Sequence, residues 1–316
     1  MRNLKTIWHL DLSGGPPRKR HWFLRTAPER SFALDGYLVS EPFIDNEKKI
    51  AVPDHHFRVD RLITRCTVAQ IVLNLRLGRY ASIFDGNGPV HAFFESIDPD
   101  VIFSLWVIEY WYDVQHQWGA RFENLLRYQD LVDTTAGTYP FPHNDDLFEL
   151  SWVFDPYFRA LSRGELDGKE LQTYYDVILE CFERIEMYMR GSGGQVSLDQ
   201  SYDVIERHKD WGIFVAHGSL SRMKIVADGY YAFMLVRERR DGRRTVTLQR
   251  TSAEQKHFAL EKMYGPLNSA ESRPEQWGGN WIVGGSPVPS GTWQPIPQLS
   301  SIAQEVIAYT RKRLRR

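Results

Sequence analysis

The chain is short of cysteine and has no surplus of charge of either sign. Of 316 residues only Cys66 and Cys181 are cysteines. Two thiols exclude a disulfide scaffold and suit a reducing compartment. They also exclude a zinc site built from four thiolates of one chain. Lys and Arg total 39 against 40 Asp and Glu, a net charge of −1. A surface that grips nucleic acid throughout by counterion release is basic, so any phosphate binding is confined to a local site. Long apolar runs are also missing. VIFSLWVI at 101–108 falls well short of the roughly 20 residues of a membrane-spanning helix. The opening MRNLKTIWHLDLSGG lacks the apolar core of a signal peptide, and no repeat of period 20–50 is visible. These absences predict a soluble, cytoplasmic protein with no membrane partner. What is present is 42% hydrophobic and 13% aromatic residues, enough apolar mass to exclude a disordered chain.

At about 150 residues per domain the length suggests two domains. TIWHLDL and GYLVSEPFI read as strands among turn signals, Gly14-Gly15-Pro16-Pro17 and Asp35-Gly36. KKIAVP ends in a strand before the polar DHH. VDRLITRCTVAQIVLNLRLGRY places Leu62, Ile63, Val68, Ile71, Val72 and Leu75 at helical spacing. GPVHAFFESI reads as a strand and DPDVIFSLWVIEYW as a helix with acids in its first turn. This twice-used order of strand, polar turn and helix is the pattern of an α/β domain with sites beyond the carboxyl ends of its strands. We therefore expect a mainly parallel-sheet α/β domain over 1–150, a helical connector over 151–195 and a smaller α+β domain over 196–316. GSGGQ at 191–195 is the linker. In the last segment WGIFVAHG, MKIVADGYYAFMLVRER and RRTVTLQR read as strands, with Asp241-Gly242 as a hairpin turn. The tail SSIAQEVIAYTRKRLRR reads as an amphipathic helix. Its basic end (Arg311, Lys312, Arg313, Arg315, Arg316) suits an interface.

Three clusters carry candidate chemistry. Asp54-His55-His56 sets three ligand-type residues at a strand end, where they converge on a metal or simply form a polar loop. Asp98 and Asp100 flank Pro99. Carboxylates two apart are hard donors suited to Mn²⁺ or Mg²⁺, and equally good helix caps. Asp133, in DLVDTTAG, is a bridging ligand or an Asx turn. His143, Asp145 and Asp146 stand nearby in reserve. A fourth segment runs Gly278-Gly279-Asn280 to Gly284-Gly285-Ser286. Its glycines let backbone N–H groups approach an anion, or belong to loops of a small β domain. Trp277, Trp281 and Trp293 stack on a base or fill a core. Arg58, Arg61 and Arg65 follow DHH closely. Arg61 and Arg65, four apart on the expected helix, share a face that holds phosphate oxygens or forms surface salt bridges.

Asp54-His55-His56 resembles the signature of the DHH phosphoesterases. Ile97-Asp98-Pro99-Asp100, with Ser104 on the helix beyond it, resembles that superfamily's H-x-D-x-D motif, and Asp133 resembles its Asp-Thr strand end. The glycine-rich stretch is similar to the substrate-binding segment of its accessory domain. The resemblance rests on about 25 residues of motif. Here DHH precedes the acidic motif, so it implies a divergent, permuted member; Ser96 stands at the leading histidine position, and His91 is five residues earlier. It implies a hydrolase with two Mn²⁺ or Mg²⁺ ions that activate water against a nucleotide or short oligonucleotide. Asp54, His55, Asp98, Asp100 and Asp133 are the implied metal ligands, and His56 and Asp98 the catalytic pair. Arg61, Arg65, Gly278, Gly279, Asn280, Gly284, Gly285 and Ser286 are the implied substrate contacts. The partner is then a small phosphorylated ligand or short single-stranded nucleic acid, and a homodimer fits. The alternative is a non-catalytic nucleotide-binding or protein-interaction module on the same scaffold.

Overall fold

The computed structural model describes residues 5–13, 18–85, 88–117, 119–168, 170–239, 241–252, 254–271, 276–287 and 290–314. The expected turn at Gly14–Pro17, and Arg315 and Arg316 of the basic tail, lie outside them. The fold is mixed α/β, with a parallel-rich sheet and a second, separate sheet. The chain divides into two compact units. Met1–Thr134 and His143–Val196 form the first; Thr135–Pro142 and Ser197–Arg316 form the second.

The first unit runs β1 (Thr6–Leu10), β2 (Arg18–Lys19), α1 (Arg20–Thr26), β3 (Ser31–Ala33), β4 (Leu38–Val39), β5 (Phe43–Asp45) and β6 (Ile50–Val52). It continues with α2 (Thr67–Arg76), α3 (Ala81–Phe84), β7 (Val90–Phe94), α4 (Pro99–Glu109), α5 (Trp111–His116), α6 (Ala120–Thr134), α7 (Asp145–Val153), α8 (Asp155–Arg163) and α9 (Leu171–Met189). Its main sheet has the order β1-β7-β3-β6-β5. The first four strands are parallel and β5 is antiparallel. β3 and β6 are buried throughout, as a parallel sheet covered on both faces requires. Nearly all of α4 is buried, apolar around its whole circumference, so it is a core helix rather than an amphipathic one. Residues 151–195, expected as a helical connector, lie within the His143–Val196 part of this first unit. The reason is α9, which buries Tyr174, Ile178, Cys181, Phe182 and Ile185.

The second unit runs β8 (Tyr202–Arg207), β9 (Gly212–Ala216), α10 (Ser221–Ala227), β10 (Ala232–Glu238), β11 (Arg244–Arg250), α11 (Leu260–Ala270), β12 (Gly278–Gly279), β13 (Val283–Gly285) and α12 (Ile296–Leu314). Its sheet order is β12-β13-β11-β10-β9-β8. MKIVADGYYAFMLVRER is not one strand, as the sequence suggests, but a helix followed by a strand. β9 and β10 are parallel, and parallel neighbours need a crossover. α10 supplies it and buries Met223, Ile225 and Val226. Beneath the sheet lies a core of Ile213, Met234, Val246, Leu248, Phe258, Met263, Leu299 and Ile307. Among the described residues no helix is long and apolar enough to cross a membrane.

Candidate metal centre

Acidic and histidine side chains gather in the first unit where the central strands end. β6 stops at Val52, and Pro53 leads into Asp54 and His55, each only 1% exposed. β3 stops at Ala33, and Leu34 leads into Asp35. Asp35 has φ 42° and Gly36 φ 76°, so the chain turns through the left-handed region that Asp tolerates and Gly prefers. That turn aims the Asp35 carboxylate at both histidines. Its Oδ1 is 3.4 Å from Nε2 of His55 and 3.3 Å from Nδ1 of His56. Thr67 Oγ1, at the start of α2, donates to the same oxygen at 3.1 Å.

Asp100 enters from α4. Its two carboxylate oxygens accept from the backbone N–H groups of Thr67 and Val68 at 2.7 and 2.9 Å. One helix's first turn thus caps the start of another with a buried charge, a favourable place for an anion. Asp133 reaches in from the end of α6, its Oδ2 2.8 Å from Nε2 of His55. Among the described residues, two sets of side chains could hold a metal ion: Asp35, His55 and His56, and His55, Asp100 and Asp133. His55 belongs to both.

The polar accounting supports such a fit. Asp54 Oδ2, Asp133 Oδ2 and both ring nitrogens of His55 are buried with no hydrogen-bond partner among the described residues. Nε2 of His55 is close to Asp133 and Asp35, yet neither approach meets hydrogen-bond geometry. Buried polar atoms are almost always satisfied, and an orphan costs about 1–3 kcal/mol. A cation among these donors satisfies several at once. Carboxylate oxygen and imidazole nitrogen are the donors Mn²⁺ and Zn²⁺ accept.

Electrostatics tell the same story. Burial, then the negative charges of Asp133 and Asp35, push the Asp100 carboxyl up to about 7. Burial, then Asp35, Asp133 and Asp100, push Asp98 well above the carboxylate range. For His55 burial opposes protonation, but the Asp133 and Asp35 carboxylates prevail and raise it to about 10. Burial also opposes ionisation of Asp35. There the neighbouring His55, His56 and Arg61 win and hold it well below its usual range. Four acids are held together with too few cations, so proton uptake substitutes for a positive charge.

The sequence-derived residues fare differently. Asp54, His55, His56, Asp100 and Asp133 are gathered. Asp54 acts as a holder: its Oδ1 accepts from the His56 backbone N–H at 2.9 Å and lies 3.0 Å from His56 Nδ1. Asp98 caps α4, accepting from the Val101 N–H at 2.9 Å, and is in neither metal-holding set. Arg61 meets the cluster, donating to Asp133 Oδ1 at 3.0 Å and standing 3.1 Å from His56 Nε2. Arg65 does not. It is exposed and 3.9 Å from Asp130. The expected helical face shared by Arg61 and Arg65 is absent because α2 begins only at Thr67. Asp60 Oδ1 takes the Leu62 N–H, an Asx turn that competes with helix. Asp133 ends a helix, not a strand, because α6 buries Phe122, Leu125, Leu126 and Gln129 at helical spacing. Ser96 is exposed, and His91 Nδ1 pairs with His9 Nε2 at 2.9 Å. His143 packs edge-on against Phe148, and Asp145 and Asp146 open α7. Asp35 is the residue that sequence reasoning missed. Its signal was there: a short apolar strand followed at once by an acid, as in IAVP-DHH.

The glycine-rich stretch belongs to the second unit, where packing accounts for several of its residues. Asn280 Oδ1 accepts from the Ile282 and Val283 N–H groups, closing the β12–β13 turn. Ser286 Oγ accepts from the Val246 N–H at 3.0 Å. A Cβ on Gly284 would run into the Tyr264 hydroxyl and stand 2.6 Å from the Gly278 carbonyl. One on Gly285 would be 2.7 Å from the Val246 carbonyl. Trp277 is core at 2% exposure. Trp281 is partly buried beneath the Arg250 guanidinium at 5.2 Å, and Trp293 is half exposed. No protein-family model matches the chain, and comparison with curated proteins finds no match.

Proposed function

We propose that the first unit is a metal-dependent phosphoesterase centre, related to the DHH phosphoesterases, that hydrolyses a small phosphate ester such as a nucleotide or short oligonucleotide. The observation that carries this reading is the set of orphaned buried donors on Asp54, His55 and Asp133 beside Asp35 and Asp100. Asp35 adds an acidic strand end ahead of DHH in the chain.

The residues divide the work. Asp35, His55, Asp100 and Asp133 are the metal-holding groups, with His56 at the more open side. Bound Mn²⁺ or Mg²⁺ ions supply charge neutralisation at phosphate and lower the pKa of a water molecule. Thr67 and the first N–H groups of α2 fix Asp35 and Asp100. Asp54 orients His56 through Nδ1. Arg61, held by Asp133, sets a guanidinium against the Nε2 side of His56, where it can meet phosphate oxygens. His56 is the candidate to hydrogen-bond the leaving oxygen.

The test is metal content and turnover together. Protein purified without chelator should carry stoichiometric divalent metal and hydrolyse bis-p-nitrophenyl phosphate with added Mn²⁺, and EDTA should abolish this. Asp35→Asn should lower turnover by about tenfold to a hundredfold, the range for loss of a group that supports a metal site. Full turnover in that variant, or in EDTA, defeats the reading. Arg61 favours a second one. A guanidinium already placed against Asp133 and His56 neutralises part of the acid cluster. Thermal stabilisation by nucleotides without turnover would make the protein a binder.

A further inference from the structure

We infer that the β10–β11 hairpin of the second unit, with Trp293 laid beside its turn, is a docking platform for single-stranded nucleic acid. The inference does not rest on the metal centre. Among the described residues, 237–244 hold four arginines (237, 239, 243 and 244) against Glu238 and Asp241. In a chain of net charge −1, this is a local excess of cations. Asp241 is shared, 3.6 Å from Arg239 and 2.5 Å from Arg243. Glu238 pairs with Arg244 at 2.9 Å. The exposed Arg237 donates to the Gly218 carbonyl. Within residues 237–244 the described cations outnumber the carboxylates by two, a charge that a polyanion complements.

The indole gives the surface its specificity. Trp293 is 50% exposed, unusual for the largest apolar side chain. It is also held in place. Thr292 and Arg244 exchange backbone hydrogen bonds at 2.9 Å in both directions, which fastens residues 291–293 along β11. Gly291 has φ 68°, and a Cβ there would stand 2.7 Å from the Arg244 carbonyl. Gly242 has φ 80°, and a Cβ would be 3.5 Å from the Trp293 ring. Glycine at both positions lets the ring lie close over the turn. A fixed exposed ring beside arginines is the arrangement that stacks a base and grips its phosphates. An acidic peptide satisfies the arginines but leaves the ring without a base to stack on; an anionic membrane also accepts an indole and is told apart by vesicle binding.

The experiment is fluorescence anisotropy of a labelled ten-residue oligothymidylate with the full-length protein in EDTA, so that binding is read without hydrolysis. Trp293→Ala should weaken binding about tenfold, and Trp293→Phe should recover most of it. The double variant Arg239→Gln, Arg243→Gln should weaken binding and flatten the slope of log K against log salt by about 1.4, or 0.7 per lost phosphate contact. Circular-dichroism melting verifies that each variant is folded; Trp293→Ala, at an exposed position, decides the matter if the double variant is not. Unchanged affinity in Trp293→Ala overturns the proposal. So does equal affinity for duplex DNA or heparin, or binding to phosphatidylserine vesicles without binding to the oligonucleotide. Failure of the metal centre shows separately, as absence of metal and turnover with this binding intact.

Discussion

His55 shows how strongly this molecule concentrates unfinished chemistry in single side chains. Both of its ring nitrogens are buried without a hydrogen bond among the described residues, and Nε2 faces two carboxylates, Asp133 at 2.8 Å and Asp35 at 3.4 Å. Asp98 stands at the edge of the same field, raised by burial and by Asp35, Asp133 and Asp100. Its carboxylate accepts the capping hydrogen bond from the Val101 N–H, and Asn caps a helix as well as Asp does. Asp98→Asn should therefore remove repulsion and keep the cap. We expect the metal-free variant to melt higher, by about 2–4 °C for each kcal/mol relieved, and to bind Mn²⁺ more weakly. Scanning calorimetry with and without EDTA checks both; a lower Tm in EDTA would show that the charge is not a burden. At this scale the sequence was legible where donors are adjacent. Asp54, His55 and Asp100 declare themselves by crowding. Asp35 hides because Asp-Gly is also the ordinary wording of a turn, and only its position beside β6 turns it toward the histidines.

At the scale of elements, apolar spacing located the strands and helices but not where they stop. The pattern from Leu62 to Leu75 is continuous, yet α2 starts at Thr67. The Asp100 carboxylate takes the Thr67 and Val68 N–H groups, a contact 33 residues away that no local window contains. The parallel register of β9 and β10 likewise decided that residues 221–227 are helix, since both strand and short helix fit those apolar residues. Glycine at 284 is legible only as a cluster, and the structure gives its reason as the close approach of Tyr264. Gly284→Ala should cost about 1–3 kcal/mol by overpacking, read as a lower urea midpoint. A neutral result would mean that Tyr264 moves aside freely. The edge of the first sheet carries a pH dependence. His9 and His91 pair across β1 and β7. Burial and then His91 lower His9, and burial and then Arg30 lower His91, both from an ordinary 6.5. The unfolded chain therefore binds protons first as pH falls. Their contribution is complete above about pH 6.5 and is lost as pH drops toward the folded values. His9→Phe should reduce the fall in Tm between pH 7.5 and 5.5, and an unchanged fall would assign that dependence to other groups.

At the scale of the whole molecule, the chain is not two beads on a string. The second unit resumes at Ser197, shortly after GSGGQ at 191–195. The other crossing, at Thr135–Pro142, was not legible in the sequence. Its eight residues look like an ordinary loop, and one of the side chains that hold them comes from far along the sequence. The Arg222 guanidinium donates to the Ala136 carbonyl at 2.5 Å and to Thr247 Oγ1 at 3.5 Å. Burial, then the nearby Arg237, lower Arg222 to about 10, so this cation is already costly to keep inside. Without Ala136 it keeps only the long contact to Thr247 among its described partners. Losing the hydrogen-bond acceptor of a partly buried cation costs about 1.5–3 kcal/mol. We therefore expect a fragment of residues 197–316 to be much less stable than the second unit in the intact chain, although the cut falls between units. A fusion of residues 135–142 ahead of residue 197 should restore stability, and the same fusion carrying Arg222→Ala should gain little from the added segment. Urea unfolding of the three proteins decides it. If the bare fragment is as stable as the fusion, the segment is a passenger and the buried arginine finds water instead.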